Sequence, residues 1–267
     1  ATGDVSFAKA AIELELDFIA NNGGMYYGNC DVLTSSFRES AMYSCFYAML
    51  NSPAGDSTAF MSMLKFIWQE AYWNCQPENE YRNHNVTAGQ NTLILNACIY
   101  FPEFALNPEW VTVAAERYER MAEDLCFTDG DYIEGTSGYD VGVFDSFSKI
   151  YEQAASANIE LTDKFRETYR KFAFALIAMS TPEKGQFQWG DGGASGNLRS
   201  NIKKAADLLD DDELLYYATD GKEGTPISFT SKLLPESKRA SMRDNWTDNG
   251  VSAMMIGFSG RNHGHSF

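Results

Sequence analysis

What most constrains this chain is a helical apolar repeat that recurs along most of its length, interrupted only by short polar separators. Val5, Ala8, Ile12, Leu16 and Ile19 form one stripe at helical spacing, closed by the stop signal Asn21-Asn-Gly-Gly24. Further helical stretches follow at about 37–50 and 57–74. Asn107-Pro108-Glu109 is a helix start, with an N-cap acceptor, Pro in the first turn and an early carboxylate, and Val111, Ala114, Ala115, Tyr118, Met121, Ala122 and Leu125 repeat behind it. Thr162 opens another helix that buries Phe165, Tyr169, Phe172, Ala173 and Leu176, and segments near 86–101, 139–157 and 197–217 bring the total to roughly eight to ten helices. The separators at 51–56, 76–84, 102–107, 127–138 and 181–196 are rich in Gly, Pro, Asp and Asn. Helices of similar length joined this way predict antiparallel hairpins packed side by side, in a bundle, a solenoid or an α/α toroid.

After about Gly221 the period changes. Ile227-Ser-Phe-Thr230, Arg239-Ala-Ser-Met-Arg243 and Val251-Ser-Ala-Met-Met-Ile-Gly-Phe258 have strand character, and Asp248-Asn-Gly250 between the last two is a hairpin signal. Three short strands with exposed edges make an improbable terminus. The expectation is that further C-terminal sequence or a second chain completes the β region, or that the helices cover it.

Composition narrows the function classes. With 267 residues and 44% hydrophobic content the chain can bury a large core. Its longest apolar runs, such as 173–179, are too short to span a bilayer. A net charge of -16 argues against nucleic acid, and an anionic ligand would need a local basic cluster, for which Arg82, Arg199, Arg243 and Arg261 are candidates. The start at Ala1 without Met fits a mature product after leader removal or a trimmed chain. Five cysteines without a CxxC spacing exclude a zinc ribbon or a thioredoxin motif. Cys98 and Cys126 lie on apolar stripes as core thiols, and a Cys30–Cys75 or Cys45–Cys75 bridge stays open. Two glycosylation sequons occur, Asn85-Val-Thr87 and Asn245-Trp-Thr247, and a glycan on the first would obstruct His84.

The chain has only three histidines, His84 beside Asn83 and the terminal pair His263-Gly-His265, so proton chemistry has few places to sit. Three patterns line up around them: Tyr81-Arg-Asn83-His84; Asp129-Gly-Asp-Tyr-Ile-Glu134-Gly-Thr-Ser-Gly-Tyr139; and Leu234-Pro-Glu-Ser-Lys-Arg-Ala-Ser-Met242-Arg243-Asp-Asn-Trp246, followed by a strand and Gly260-Arg-Asn-His263-Gly-His265. Together and in this order they resemble the heparinase II/III-like superfamily of polysaccharide lyases, over roughly residues 80–267.

The resemblance implies an incomplete α/α toroid, here 1–220, followed by the beginning of an antiparallel β-sandwich domain, 221–267, with a cleft between them. It implies β-elimination at a uronic acid, in which a site must neutralise the carboxylate, take the C5 proton and protonate the departing O4. Asn83 and His84 match the residues that contact the carboxylate, with His84 a base for one C5 stereochemistry. Tyr139 matches the catalytic Tyr that protonates the leaving oxygen, and His263 the interdomain His that supports this step. Around these, Glu134, Trp189, Arg82 and Arg243 are candidate substrate-binding residues, Trp189 either stacking on a sugar ring or packing at the rim. His265 matches a position that binds a structural zinc in some relatives, with a ligand set incomplete in this chain, while the chemistry needs no cofactor. The implied partner is an anionic polysaccharide or oligosaccharide, and the implied location secreted or periplasmic. Competing readings are a toroid glycoside hydrolase with Asp129 and Asp191 as its carboxylates, a uronate C5-epimerase, and a non-catalytic glycan-binding module.

Overall fold

A computed structural model describes residues 4–22, 32–50, 52–189 and 196–257. In chain order it comprises α1 (Val5–Asn22), α2 (Val32–Met49), α3 (Ser57–Cys75), a short 3-10 turn (Pro77–Asn79), α4 (Asn85–Tyr100), α5 (Asn107–Leu125), α6 (Tyr139–Ser156), α7 (Asp163–Ala178), α8 (Arg199–Leu209) and α9 (Asp212–Ala218). Three strands follow, β1 (Lys232–Leu234), β2 (Arg239–Arg243) and β3 (Ser252–Ile256). None of the described helices is long and apolar enough to cross a membrane.

The chain packs as two compact units, one of residues 1–81 with 89–114 and one of residues 82–88 with 115–267. In the first, α3 packs against α1 and α2. Asp56 starts α3 by accepting from the Ala59 amide at 2.8 Å, and Met63, Phe66, Ile67 and Ala71 bury its inner face. Phe46, Phe60, Tyr47 and Phe101 form an aromatic cluster, with Phe46–Phe60 edge-to-face at 5.6 Å. Cys45 keeps a free thiol, so the Cys45–Cys75 bridge that the sequence left open does not form, and Cys30 lies outside the described residues.

The second unit is built on α6 and α7, whose facing stripes bury Phe144, Phe147, Phe165, Tyr169 and Phe172 completely. The rings meet at 5.0 to 6.0 Å, and the buried Tyr169 hydroxyl lies 2.6 Å from the buried Ser148 Oγ. Thr162 caps α7 as its sequence predicts, accepting from the Phe165 amide at 3.2 Å. The stretch 197–217, read above as one helix, is two. Asp210 adopts a left-handed conformation (φ 53°) that ends α8, and Asp211 restarts the chain as the N-cap of α9, accepting from the Glu213 and Leu214 amides.

The sheet is antiparallel in the order β1-β2-β3, with Leu233, Ala240 and Met255 in one cross-strand row and Met242 opposite Ala253. Segment 227–230, expected as a strand, forms none. The Phe229 carbonyl accepts from Trp246 Nε1 at 2.9 Å, the Ser228 hydroxyl donates to Glu213, and β1 begins two residues later at Lys232. The polarity of the sheet is inverted. Its inward positions carry Arg239, Ser241 and Arg243, all buried, beside Leu234 in the hydrophobic cluster of Ala175, Ala178, Met179 and Trp189. Its outward row is apolar, with Leu233 68%, Met242 48% and Met255 64% exposed. The inward arginines are tolerated because each is bonded. Arg243 donates to the Ser180 and Ala178 carbonyls at 2.7 and 3.4 Å, where α7 ends and its last carbonyls lack helical partners, and its guanidinium lies 4.1 Å over the Trp246 ring.

An apolar row of this kind binds other apolar surface. The 267-residue chain with Met242→Lys and Met255→Glu is expected to bind less of a hydrophobic dye and to self-associate less than the unmodified chain, with an unchanged far-ultraviolet circular dichroism spectrum. Equal dye binding and self-association would refute the role given to this row.

Candidate functional site

The predicted residues gather on two segments of the second unit, the turn before α4 and the loop between α5 and α6. Asn83 takes the left-handed conformation (φ 57°) that Asn tolerates better than most residues, and this turns the chain into α4 directly after His84. The His84 carbonyl accepts from the Thr87 amide at 3.0 Å, and its Nδ1 accepts from the Val86 amide at 3.4 Å. An accepting Nδ1 makes Nε2 the protonated nitrogen of the neutral ring, and Nε2 lies 3.6 Å from Glu134 Oε1.

Glu134 is only 2% exposed. Its Oε1 also accepts from the Asn85 amide at 3.3 Å, and its Oε2 accepts from the Tyr132 hydroxyl at 2.5 Å. Tyr132 is fully buried, stacks on Phe172 of the α6–α7 core at 6.3 Å, and stays protonated because burial and then the Glu134 charge push its pKa up. A chain of contacts therefore runs from the aromatic core through Tyr132 and Glu134 to His84.

The loop that carries Glu134 is closed on itself. Phe127 and Gly130 amides bond to the Asp131 and Phe127 carbonyls at 2.8 Å, and Cys126 and Tyr132 form an antiparallel bridge. Gly130 is required by two facts at once, since its φ is +92° and a Cβ would come within 2.4 Å of the Lys171 backbone. Asp131 pairs with Arg239 of β2 at 2.9 Å, both nearly fully buried. Burial pushes the Asp131 pKa up while the Arg239 charge opposes that shift. Asp129 Oδ2 accepts from the Glu236 and Ser237 amides at 2.8 and 3.0 Å, holding the turn between β1 and β2.

Tyr139 is half-buried and opens α6, five residues beyond Glu134 on the same loop. The residues around it are pinned. Gly138 (φ 93°) precedes it, and Asp140, fully buried, follows. The single oxygen Asp140 Oδ1 accepts from the Gly138 amide (3.0 Å), the Val141 amide (2.8 Å) and Gln186 Nε2 (2.8 Å). Burial pushes the Asp140 carboxyl up to about 6, with the Gln186 hydrogen bond opposing.

The other sequence candidates fall elsewhere. Arg82 is committed to Asp124 in a bidentate pair at 2.7 and 2.9 Å. Trp189 is 8% exposed, donates its indole N–H to the Gly135 carbonyl and packs 4.5 Å from the Arg239 guanidinium, which is the packing alternative rather than an exposed stacking platform. Arg243 is buried on the end of α7, as described, and does not present its charge to a ligand. His263, His265, Arg261 and Asp191 lie outside the described residues. Asp129, one carboxylate of the hydrolase reading, is used by backbone amides. Among the described residues no group of three or more His, Cys, Asp or Glu side chains is placed to hold a metal ion. Sequence reasoning missed Tyr132, Asp140 and Gln186. The first two were legible as residues, inside the Asp129–Glu134 pattern and beside Tyr139, but nothing along the chain announced Gln186.

A helical scaffold that pairs a His before one helix with a carboxylate on the loop leading to a Tyr is the class that the geometry defines. The Heparinase II/III N-terminus family matches residues 1–217, and the chain belongs to that family. It is 27% identical over 259 residues to a heparin-sulfate lyase of Pedobacter heparinus, covering 93% of this chain and 39% of that protein. Among solved structures it is similar to a heparinase III (TM-score 0.86, 18% identity, 97% of this chain and 42% of that one) and to a heparan sulfate lyase of Pedobacter heparinus (TM-score 0.78, 23% identity, 98% and 42%). At these identities the structural likeness is one of fold. The chain spans about two fifths of the length of these relatives.

The Asp140 environment makes a pH prediction. A carboxyl whose folded pKa lies above its unfolded value of 3.8 stabilises the fold fully below about pH 4, and that contribution is lost as pH rises through about 6. It amounts to roughly 3 kcal/mol by linkage. Asp140→Asn keeps an oxygen for all three donors and removes the titration, so its melting temperature relative to wild type should rise between about pH 4 and pH 7. A difference that stays flat with pH in thermal melts would contradict the assignment.

Proposed function

We propose that this chain is the N-terminal part of a polysaccharide lyase that cleaves a uronic-acid-containing glycan by β-elimination. The observation that carries the reading is the pairing of His84 with Glu134 on the loop that delivers Tyr139, in a chain of this family. The named activity of the Pedobacter relative supports the same substrate class. The helical hairpins are proposed to close as an incomplete toroid, and 221–267 to begin a sandwich whose remaining strands cover the apolar outer row of the sheet. The enzyme is proposed to act as a secreted or periplasmic protein, where such polymers occur.

In the reaction the C5 proton leaves, its electron pair forms the C4–C5 double bond, the C4–O4 bond breaks, and a proton is returned to O4. No water is added. Ionisation at C5 places charge next to a carboxylate that is already negative, so the site needs donors there. Asn83 and His84, adjacent on the left-handed turn, take that role. With Nδ1 accepting from Val86, His84 has no lone pair left for the C5 proton and is not the base; its one N–H, on Nε2, lies 3.6 Å from Glu134 and is the donor it would share with the substrate carboxylate. Glu134 and Tyr132 hold it there. Tyr139 takes the C5 proton and returns one to O4, with His263 assisting. No step runs through a metal.

The test is the ultraviolet absorbance of the unsaturated product when the full-length protein meets heparan sulfate, heparin, hyaluronan or alginate. Tyr139→Phe is expected to lower kcat by about 100-fold or more, and Glu134→Gln by about 10-fold through misorientation of His84. Cleavage without a new double bond, or wild-type turnover by Tyr139→Phe, would overturn the lyase reading. Solvent deuterium at C5 without chain cleavage would indicate epimerisation instead.

A further inference from the structure

We propose that Gln186 is a positioning residue for Tyr139, its buried carboxamide clamping the residues on either side of that phenol. This rests on the reading of Tyr139 given above. Gln186 is 5% exposed. Its Oε1 accepts from the Gly138 amide at 3.0 Å and its Nε2 donates to Asp140 Oδ1 at 2.8 Å. A carboxamide presents an acceptor and a donor side by side, which is what an amide N–H and a carboxylate oxygen two residues apart require. Leu offers neither group, and Glu offers two acceptors.

The clamp matters because the Gly138 amide otherwise has only the local Asp140 Oδ1 at 3.0 Å, and Gln186 ties both groups to the distant segment after α7. Gly138 has no side chain and sits at φ 93°, so nothing of its own fixes the entry into α6, and the first turn of a helix lacks internal partners for its amides. Tyr139 is the first residue of that turn. Three residues beyond Gln186, the Trp189 amide donates to Ser137 Oγ at 3.1 Å, and the Ser137 hydroxyl and amide donate to the Trp189 carbonyl at 3.0 and 3.3 Å. The segment 186–189 thus holds 137–140 at both ends.

Gln186 is itself held. It forms an antiparallel bridge with Ser180 just past α7, closed by the Thr181 amide on the Gly185 carbonyl at 2.8 Å. Lys184 at the corner is left-handed (φ 63°) and buried, and its ammonium pairs with Asp220 at 2.5 Å and Asp248 at 3.5 Å. The described side-chain bonds of Gln186 go to Gly138 and Asp140, the neighbours of Tyr139. Its effect on turnover would be exerted through the placement of Tyr139.

Gln186→Glu converts the clamp into a titratable one. Two carboxyls would face each other at the 2.8 Å contact, and the bond survives only while they share a proton. The other charged groups acting on Asp140 are Asp131, which opposes its ionisation, and Arg239, which favours it, and both are unchanged in the variant. The experiment measures kcat and KM of the full-length protein on a uronate polymer for wild type, Gln186→Glu, Gln186→Leu and Tyr139→Phe, each as a ratio to wild type across pH, with melting temperatures alongside.

Expected is a kcat of Gln186→Glu about 10- to 100-fold below wild type near pH 8, with KM within about 3-fold, recovering toward wild type near pH 6. Gln186→Leu should be low at every pH. If Gln186→Leu fails to fold, the pH recovery of Gln186→Glu decides alone. Wild-type kcat for a folded Gln186→Glu at all pH values, or a loss confined to KM or indifferent to pH, overturns the proposal. Wild-type activity in Tyr139→Phe would instead overturn the reading of Tyr139, and that result is separate from any behaviour of the Gln186 variants.

Discussion

The second unit depends on one buried ion pair, Asp131 with Arg239. A carboxylate and a guanidinium withdrawn from water are costly to bury, and only close mutual contact and further bonding make their burial tolerable. Here the pair is 2.9 Å apart, the Asp131 carboxylate also accepts from the Tyr132 amide at 3.0 Å, and the guanidinium lies 4.5 Å over the Trp189 ring. This contact joins β2 to the loop that follows α5. Because removing one partner leaves the other charged and buried, the pair acts as a positional constraint: the loop can bear Glu134 and Tyr139 in only one arrangement while the sheet is in place.

From that constraint the candidate site follows in order. Asp131 anchors the loop, Tyr132 inserts beside Phe172, Glu134 emerges behind His84, and Gly138 delivers the chain to α6. The carboxylates Asp129, Asp131, Glu134 and Asp140 sit within twelve residues of one another, and each has donors of its own from the backbone or from a neighbouring side chain. Mutual repulsion is thereby limited, and burial still raises Asp131 and Asp140. The inverted sheet follows from the same contacts: Arg239 faces inward to the loop and Arg243 to the end of α7.

Much of the fold was legible along the chain. The apolar repeats and the start signals at Asn107 and Thr162 report local physics, since a cap and a helical stripe involve residues three or four apart. The segments misread were those where distant partners took over. A helical period runs through 197–217, yet the left-handed Asp210 breaks it and Asp211 starts anew. The segment 227–230 became irregular because Trp246 and Glu213 bind its polar groups. In the site, Asn83, His84, Glu134 and Tyr139 were visible as a pattern, whereas Arg82, Trp189 and Arg243 looked available and are occupied by Asp124, Arg239 and the α7 carbonyls.

The sequence by itself determined the helical class, the change of character near Gly221, the family, and which short segments hold the candidate site residues, because all of these are written in spacing and residue type. The tertiary structure decided which of those residues are committed elsewhere, which nitrogen of His84 faces a carboxylate, and that Gln186 reaches across 46 positions to Asp140. Burial and hydrogen bonding between distant segments have no period along a chain. They exist only once packing has excluded water and left each polar group to find its partner in space.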